Sequence, residues 1–200
     1  MQLSIQSDID KAIKHLGVMK KQVPFAASVA MNETVTKIQQ VEQAAMSREL
    51  DRPRPATIKG IRVARSNKRN LRAAVFVIPA IDRFIRYQVV GGTRLPENKA
   101  VSVPVQIRLN KYGNISGRRQ GKLAKLLARP DTFSGTIKGV SGIYQRVGRG
   151  KRFLKLLVAY EDSVTYRPRF HFYDHADRTA RRVWARTFNR AIRRAIRTAR

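Results

Sequence analysis

No cysteine occurs among the 200 residues, which excludes disulfides and thiolate metal sites and accords with a reducing compartment. Histidine is nearly as scarce, at three residues, and there are only 13 acids. Those acids are scattered, with no paired carboxylates in a recognisable motif and no Ser-His-Asp or Cys-His setting, so no enzyme activity is expected. No apolar run approaches the ~18 residues of a membrane span, and MQLSIQSDIDKAIKHL lacks the apolar core of a signal peptide. The expectation is a soluble, unexported protein without membrane contact.

Cofactor fingerprints are missing as well. The stretch from Gly117 to Leu123, GRRQGKL, is one residue shorter than a phosphate loop, and Leu123 stands where a metal-binding hydroxyl is required. Gly148 to Arg152, GRGKR, is no dinucleotide fingerprint. Both read as basic loops. His171 and His175 lie four apart beside Asp174, but an extended segment followed by a helix start would not point them the same way. Neither a metal nor a cofactor is expected.

What the chain does have is positive charge, at +29 from 42 lysines and arginines, alongside 42% hydrophobic residues that suffice for a core. Residues 1–51 carry six basic and six acidic groups, whereas the rest of the chain carries 36 and seven. A neutral beginning is thus followed by a strongly basic remainder. Such an excess implies a polyanion or acidic partner surfaces, because unscreened like charges oppose compaction.

The neutral region contains the stretch that organises the reading, Pro24 to Leu50. Ala27, Ala30, Met31, Thr34, Ile38, Val41 and Ala45 recur at three- and four-residue steps and fall on one narrow helical face. Pro24 suits a first turn, and the proline-rich Arg52 to Pro55 cannot continue a helix. Phe25 and Val29 point off this stripe, which fits either a wholly intramolecular core or contact with a second subunit. Before this helix, Leu3 and Ile5 alternate as a short strand, and Ser7 with Asp10 forms a capping-box pattern opening a helix over Ile9, Ile13 and Leu16.

After Pro55, strands are expected at 57–63 and 73–78, joined by the basic turn Arg65 to Asn70. A short helix follows at 79–90, between Pro79 and a glycine pair. Residues 101–109 alternate as a strand, with Pro104 arguing for an edge. A basic helix at 122–129 precedes strands at 135–138, 143–147 and 153–160, best assembled as an antiparallel meander. Residues 174–200 form a second long amphipathic helix. Trp184, Thr187, Phe188, Ala191 and Ala195 make its apolar stripe, with Arg182, Arg186, Arg190, Arg193 and Arg197 opposite. The predicted fold is α+β, a single domain over 1–200. It comprises a neutral helical region (1–51), a basic β-rich region (56–172) and an arginine-rich terminal helix (174–200).

Four basic clusters are candidates for phosphate: Arg65, Lys68 and Arg69; Arg118, Arg119 and Lys122; Arg149, Lys151 and Arg152; and Arg186, Arg190 and Arg193. No zinc finger, RNP motif or helix-turn-helix accompanies them, which disfavours base reading. Candidate subunit contacts are Phe25, Val29, Trp184 and Phe188.

The order of features resembles the phage tail completion family, also called minor tail protein Z, and related head-tail joining proteins. The likeness is carried by Val23 to Ala27 with Ala30 to Asn32, Gln88 to Gly92, Asn110 to Ile115, Gly142 to Arg146, Leu154 to Leu156 and a terminal helix opening near Ala176. The resemblance implies a structural virion protein of a tailed bacteriophage, assembled in the host cytoplasm. It would form a homo-oligomeric ring, a hexamer or dodecamer, at the neck. Implied neighbours are the portal or connector, the tail tube or tail terminator proteins, and double-stranded DNA passing without being read. The alternative is a non-specific basic nucleic-acid-binding protein.

Overall fold

The structure is a computed structural model and describes residues 1–6, 22–96, 100–115 and 122–198. The helix anticipated over Ile9 to Leu16 and the loop carrying Arg118 and Arg119 lie outside these. The fold is α+β, with antiparallel sheets and a long helix towards each end of the chain. Where one domain is expected from the sequence, the chain divides into two compact units. Met1–Val89 with Pro168–Arg200 forms one, and Val90–Arg167 the other.

The first unit is built on two helices, α1 (Gln22–Glu49) and α5 (Phe172–Thr198). Ala26 and Ala30 pack with Ala191 and Ala195, Thr34 meets Thr187, and Ala45 and Met46 share a cluster with Phe172 and Ala176. Residue numbers rise along one helix as they fall along the other, so the pair is antiparallel. Small residues along this seam let the two backbones approach closely, and larger side chains flank it. Thr34 and Thr187 are buried, yet each hydroxyl donates to a carbonyl of its own helix, Ala30 at 2.8 Å and Val183 at 3.1 Å. No hydroxyl on the seam is left desolvated without a partner.

A three-stranded antiparallel sheet packs on α1, with β1 (Gln2–Gln6) and β2 (Ile61–Ala64) on either side of β3 (Arg72–Val77). Ala73, Val75 and Val77 alternate along β3 towards the core, where they join Met31, Val35 and Ile38 of α1. The sequence expectation of a strand over 57–63 is corrected here, because Pro55–Ile58 forms a short helix, α2, and the strand begins at Ile61. Pro55 at the first helical position is pre-set for that turn and needs no N–H partner there. The helix α3 (Pro79–Val90) follows β3. Its Gln88 carbonyl accepts from the N–H groups of Arg169 (2.7 Å) and Phe170 (2.9 Å), which fixes the entry into α5.

The second unit holds a two-stranded pair, β4 (Gly92–Arg94) with β9 (Val164–Tyr166), and a four-stranded antiparallel sheet. The order of the latter is β5 (Val101–Pro104), β8 (Phe153–Glu161), β7 (Val140–Val147) and β6 (Thr132–Ile137). Strands β6, β7 and β8 form the expected meander. The strand predicted over 101–109 stops at Pro104, on the sheet edge where a missing N–H is tolerated. The helix α4 (Lys122–Leu127) lays Leu126 on Ile143, Leu157 and Val158. Lys138 and Gly139 turn β6 into β7 with φ of 51° and 80°, as a tight two-residue hairpin of the primed type requires. Gly142 lies beside a bulge in the β7–β8 register, and a Cβ there would come within 2.3 Å of the Val158 carbonyl oxygen.

Enlarging a seam residue should therefore push the long helices apart. Ala30→Leu, at a fully buried position, is expected to cost roughly 1–3 kcal/mol by overpacking. Urea unfolding of the purified chain measures it, and an unchanged midpoint would show that the seam tolerates bulk.

Candidate functional site

Basic groups that are far apart in sequence converge on the first unit. The loop between β2 and β3 is held down by Asn32 of α1, whose amide donates to the Ser66 carbonyl at 3.0 Å. Its oxygen accepts the Ser66 N–H at 2.8 Å in return. The Ser66 hydroxyl lies 3.2 Å from both the carbonyl and the hydroxyl of Ser28. Further along, the Asn67 side chain accepts from the N–H groups of Arg69 (2.9 Å) and Asn70 (2.8 Å), closing the tip as an Asx-type turn. Arg65, Lys68 and Arg69 are exposed on a loop whose backbone is fixed.

Arg65 then lines an open groove of about 740 Å³ between α1 and α5, together with Asn32, Glu33, Lys37, Arg186 and Arg190. A second hollow of about 770 Å³ runs along α5 itself, lined by Arg186, Asn189, Arg190, Arg193, Arg194 and Arg197. Residues 178–200 contain nine arginines and no acid. Among the described residues, Glu33 is the one acid lining either groove, and it pairs with Arg190. Other cations are neutralised locally, Arg52 by Asp51, Arg129 by Asp131 and Arg181 by Asp177. Hydrogen bonds from Gln145 and then Arg129 hold the Asp131 carboxyl below the ordinary carboxylate range.

Of the remaining candidates, Arg149 and Arg152 are exposed at a 3₁₀ turn (Arg149–Lys151) between β7 and β8, and Lys122 opens α4. These belong to the second unit. Trp184 and Phe188 stack on each other at 5.6 Å and pack against Val23 and Ala27 of α1. Val29 is half-buried against the cluster of Ala26, Ala30, Ala191 and Ala195, and Phe25 is 50% exposed. Among the four proposed subunit contacts, Phe25 presents the most open surface.

A cluster that the sequence reading missed lies at the other end of the helix pair. Glu42 is fully buried in α1, and neither carboxyl oxygen has a hydrogen-bond partner. His175 lies between two carboxyl groups, with Nε2 3.1 Å from Glu49 and Nδ1 3.7 Å from Glu42, too far for a hydrogen bond. His171 reaches the same Glu49, its N–H donating at 3.1 Å and its Nδ1 lying at 3.4 Å. The two histidines thus do meet on one group, contrary to the expectation that their backbone settings would separate them. Glu42 and Glu49 face opposite ring nitrogens of His175, so the groups do not surround a common point. Among the described residues no set of three or more such ligands is arranged to hold a metal ion.

Burial, and then the nearby Glu49 carboxylate, push the Glu42 carboxyl up to about 8. It is therefore protonated at neutral pH. The legible signal was position: Glu42 falls between Ile38 and Ala45 on the apolar face of α1. Comparison of the chain with family models, with curated proteins and with solved structures finds no match.

The Glu42 shift has a definite pH consequence. Its folded value near 8 exceeds the ordinary glutamate value of 4.5, so between these limits the unfolded chain releases a proton that the native state retains. This group's contribution is full below about 4.5 and is lost as pH rises to about 8, at about 1.4 kcal/mol per unit. Glu42→Gln should flatten that slope and gain stability over the wild type towards pH 8. Denaturant titrations from pH 5 to 9 test this, and parallel curves for the two proteins would contradict it.

Proposed function

We propose that this chain is a structural virion protein of a tailed bacteriophage, a tail completion or head-tail joining protein that assembles as an oligomeric ring at the neck around the DNA path. The observation that carries the reading is the acid-free arginine face along the C-terminal half of α5. A surface of that kind attracts a phosphate backbone without reading bases, which suits DNA that must slide. The family resemblance supplies the setting. Its better motifs occupy positions of structural consequence: Pro24 to Asn32 forms the early turns of α1 and reaches the clamp on the basic loop, and Gly142 to Arg146 spans the β7 bulge.

Support for assembly comes from apolar groups left uncovered. Phe25 is 50% exposed and Ile196 45%, and the pairing of Ala26 with Ala195 puts both at the same end of the helix pair. In the second unit Phe153 is 68% exposed and Leu154 48%. Large apolar side chains concentrated in this way mark contact surfaces more often than bare solvent faces. The alternative, a non-specific nucleic-acid-binding protein of nucleoid or ribosomal type, shares the charge but needs no ring.

Mass spectrometry and electron microscopy of purified virions of the encoding phage separate the two. The chain is expected in stoichiometric amount at the neck, and native mass measurement should find oligomers of it, alone or with neck partners. Absence from virions would overturn the neck reading in favour of the alternative.

A further inference from the structure

The charge is distributed over several clusters, and they are not equivalent. We infer that the C-terminal half of α5, extended by Arg65 across the adjoining groove, is the surface that takes the phosphate backbone of a nucleic-acid duplex, with Glu33 occupying Arg190 until phosphate replaces it. The inference rests on the polyanion part of the proposed function and adds which residues do the binding, and to what form of nucleic acid.

Spacing is the first argument. Arg186, Arg190, Arg193 and Arg197 follow one another at steps of four, three and four, and all four are exposed. At 100° per residue they fall within a stripe about 60° wide, and their Cα atoms span about 16 Å of helix axis. One strand of a duplex presents a phosphate about every 3.4 Å along its axis, so a stripe of this length faces roughly four or five phosphates. Arginine also offers a planar, permanently charged fork that grips phosphate oxygens in pairs.

Mounting is the second. The opposite side of α5 is fixed to α1 through Thr187, Ala191 and Ala195. The stripe therefore sits on a rigid rod, and Arg65 sits on a loop whose backbone is clamped to α1. By contrast, Arg149 opens a three-residue turn interrupted by Gly150 at φ 74°, and Arg152 caps it. That turn offers fewer cations on a less extended frame.

The aromatic groups supply the third argument, and they select duplex over single strand. Single-strand binding relies on bases stacking on open aromatic rings. Beside the stripe, Trp184 and Phe188 of α5 are stacked on each other and packed against α1, so Phe25 is the exposed ring described at this end, and one ring is no platform for successive bases.

Glu33 completes the picture. Among the described residues it is the one acid lining either groove, and its pair with Arg190 is open to water on both sides, Arg190 64% and Glu33 42% exposed. Exposed pairs of this kind hold only weakly. A phosphate can take over Arg190, and in its absence the Glu33 carboxylate occupies the same fork.

The test uses the full chain and a fluorescent 20-base-pair duplex of arbitrary sequence, titrated at several salt concentrations. Wild type should show affinity falling steeply with salt. The triple variant Arg186→Gln, Arg193→Gln, Arg197→Gln should lower the log–log salt slope by about 2 to 3, at about 0.9 per lost phosphate contact. Glu33→Gln should bind more tightly than wild type, and Arg149→Gln with Arg152→Gln should keep most of the wild-type slope. Circular dichroism melts confirm that these exposed substitutions leave the fold intact. If the triple variant keeps the wild-type slope while the Arg149 and Arg152 variant loses it, the assignment to α5 is overturned and the polyanion reading stands. Preference for single-stranded DNA, or for polyglutamate over the duplex, overturns the choice of ligand. A salt-independent wild type overturns the polyanion reading itself.

Discussion

Close antiparallel contact between α1 and α5 is the constraint on which the first unit depends. Ala26, Ala30 and Thr34 on one helix, and Thr187, Ala191 and Ala195 on the other, leave no room for larger groups. This contact joins segments more than 120 residues apart in sequence, and loop closure over such a span must be offset by long-range packing. It also determines where charge can go. Once the small residues of α5 face inward, helical geometry sends Arg186, Arg190, Arg193 and Arg197 outward in register. The Asn32 clamp then carries Arg65 to the same side, so a single packing decision assembles a surface from three chain segments.

Both long helices, the β6–β7–β8 meander and the α+β class were legible because their signals are local. Three- and four-residue spacing marks α1 and α5, and glycine turns punctuate the strands. The four basic clusters were legible as clusters, but their grouping was not. That Arg65 shares a groove with Arg186 and Arg190 follows from tertiary packing, which no spacing rule encodes. The strand anticipated over 57–63 gave way at its start to α2, where Pro55 nucleates a helical turn that the β-branched Thr57 and Ile58 disguised. The division into two units was hidden because no composition break marks residues 90 and 167. Trp184 and Phe188 looked like spare apolar surface, since a sequence cannot show that α1 already covers part of them.

Glu42 is a place where local and global requirements disagree. Its position belongs to the apolar face, and a hydrophobic residue there would satisfy the pattern without leaving two carboxyl oxygens unpartnered. The structure accommodates the acid by keeping it protonated and by setting His175 between it and Glu49. His171 adds a second tie to Glu49. These four groups join the C-terminal half of α1 to the start of α5 through polar contacts, while the opposite end of the pair is joined by alanines. The two ends of one helix pair therefore respond differently to solvent: pH acts on the Glu42 end, and salt acts on the arginine end.

That asymmetry bears on how copies of the chain could associate. Phe25 and Ile196 lie exposed at the arginine end, so apolar surface available to a neighbour sits beside the densest positive charge. Bringing two such ends together would bury the apolar groups but also crowd the cations, and with a Debye length of about 8 Å at physiological salt the repulsion is only partly screened. A polyanion lying across both copies removes that opposition, because each phosphate it contributes serves arginines on either side. Under the proposed function, ring closure and DNA engagement would consequently be coupled. Assembly in the absence of nucleic acid would be favoured by raised salt, whereas assembly on DNA would be favoured by lowered salt. Opposite salt dependences of this kind follow from one feature of the fold, the placement of uncovered apolar residues at the end of the helix pair where α5 carries no acid.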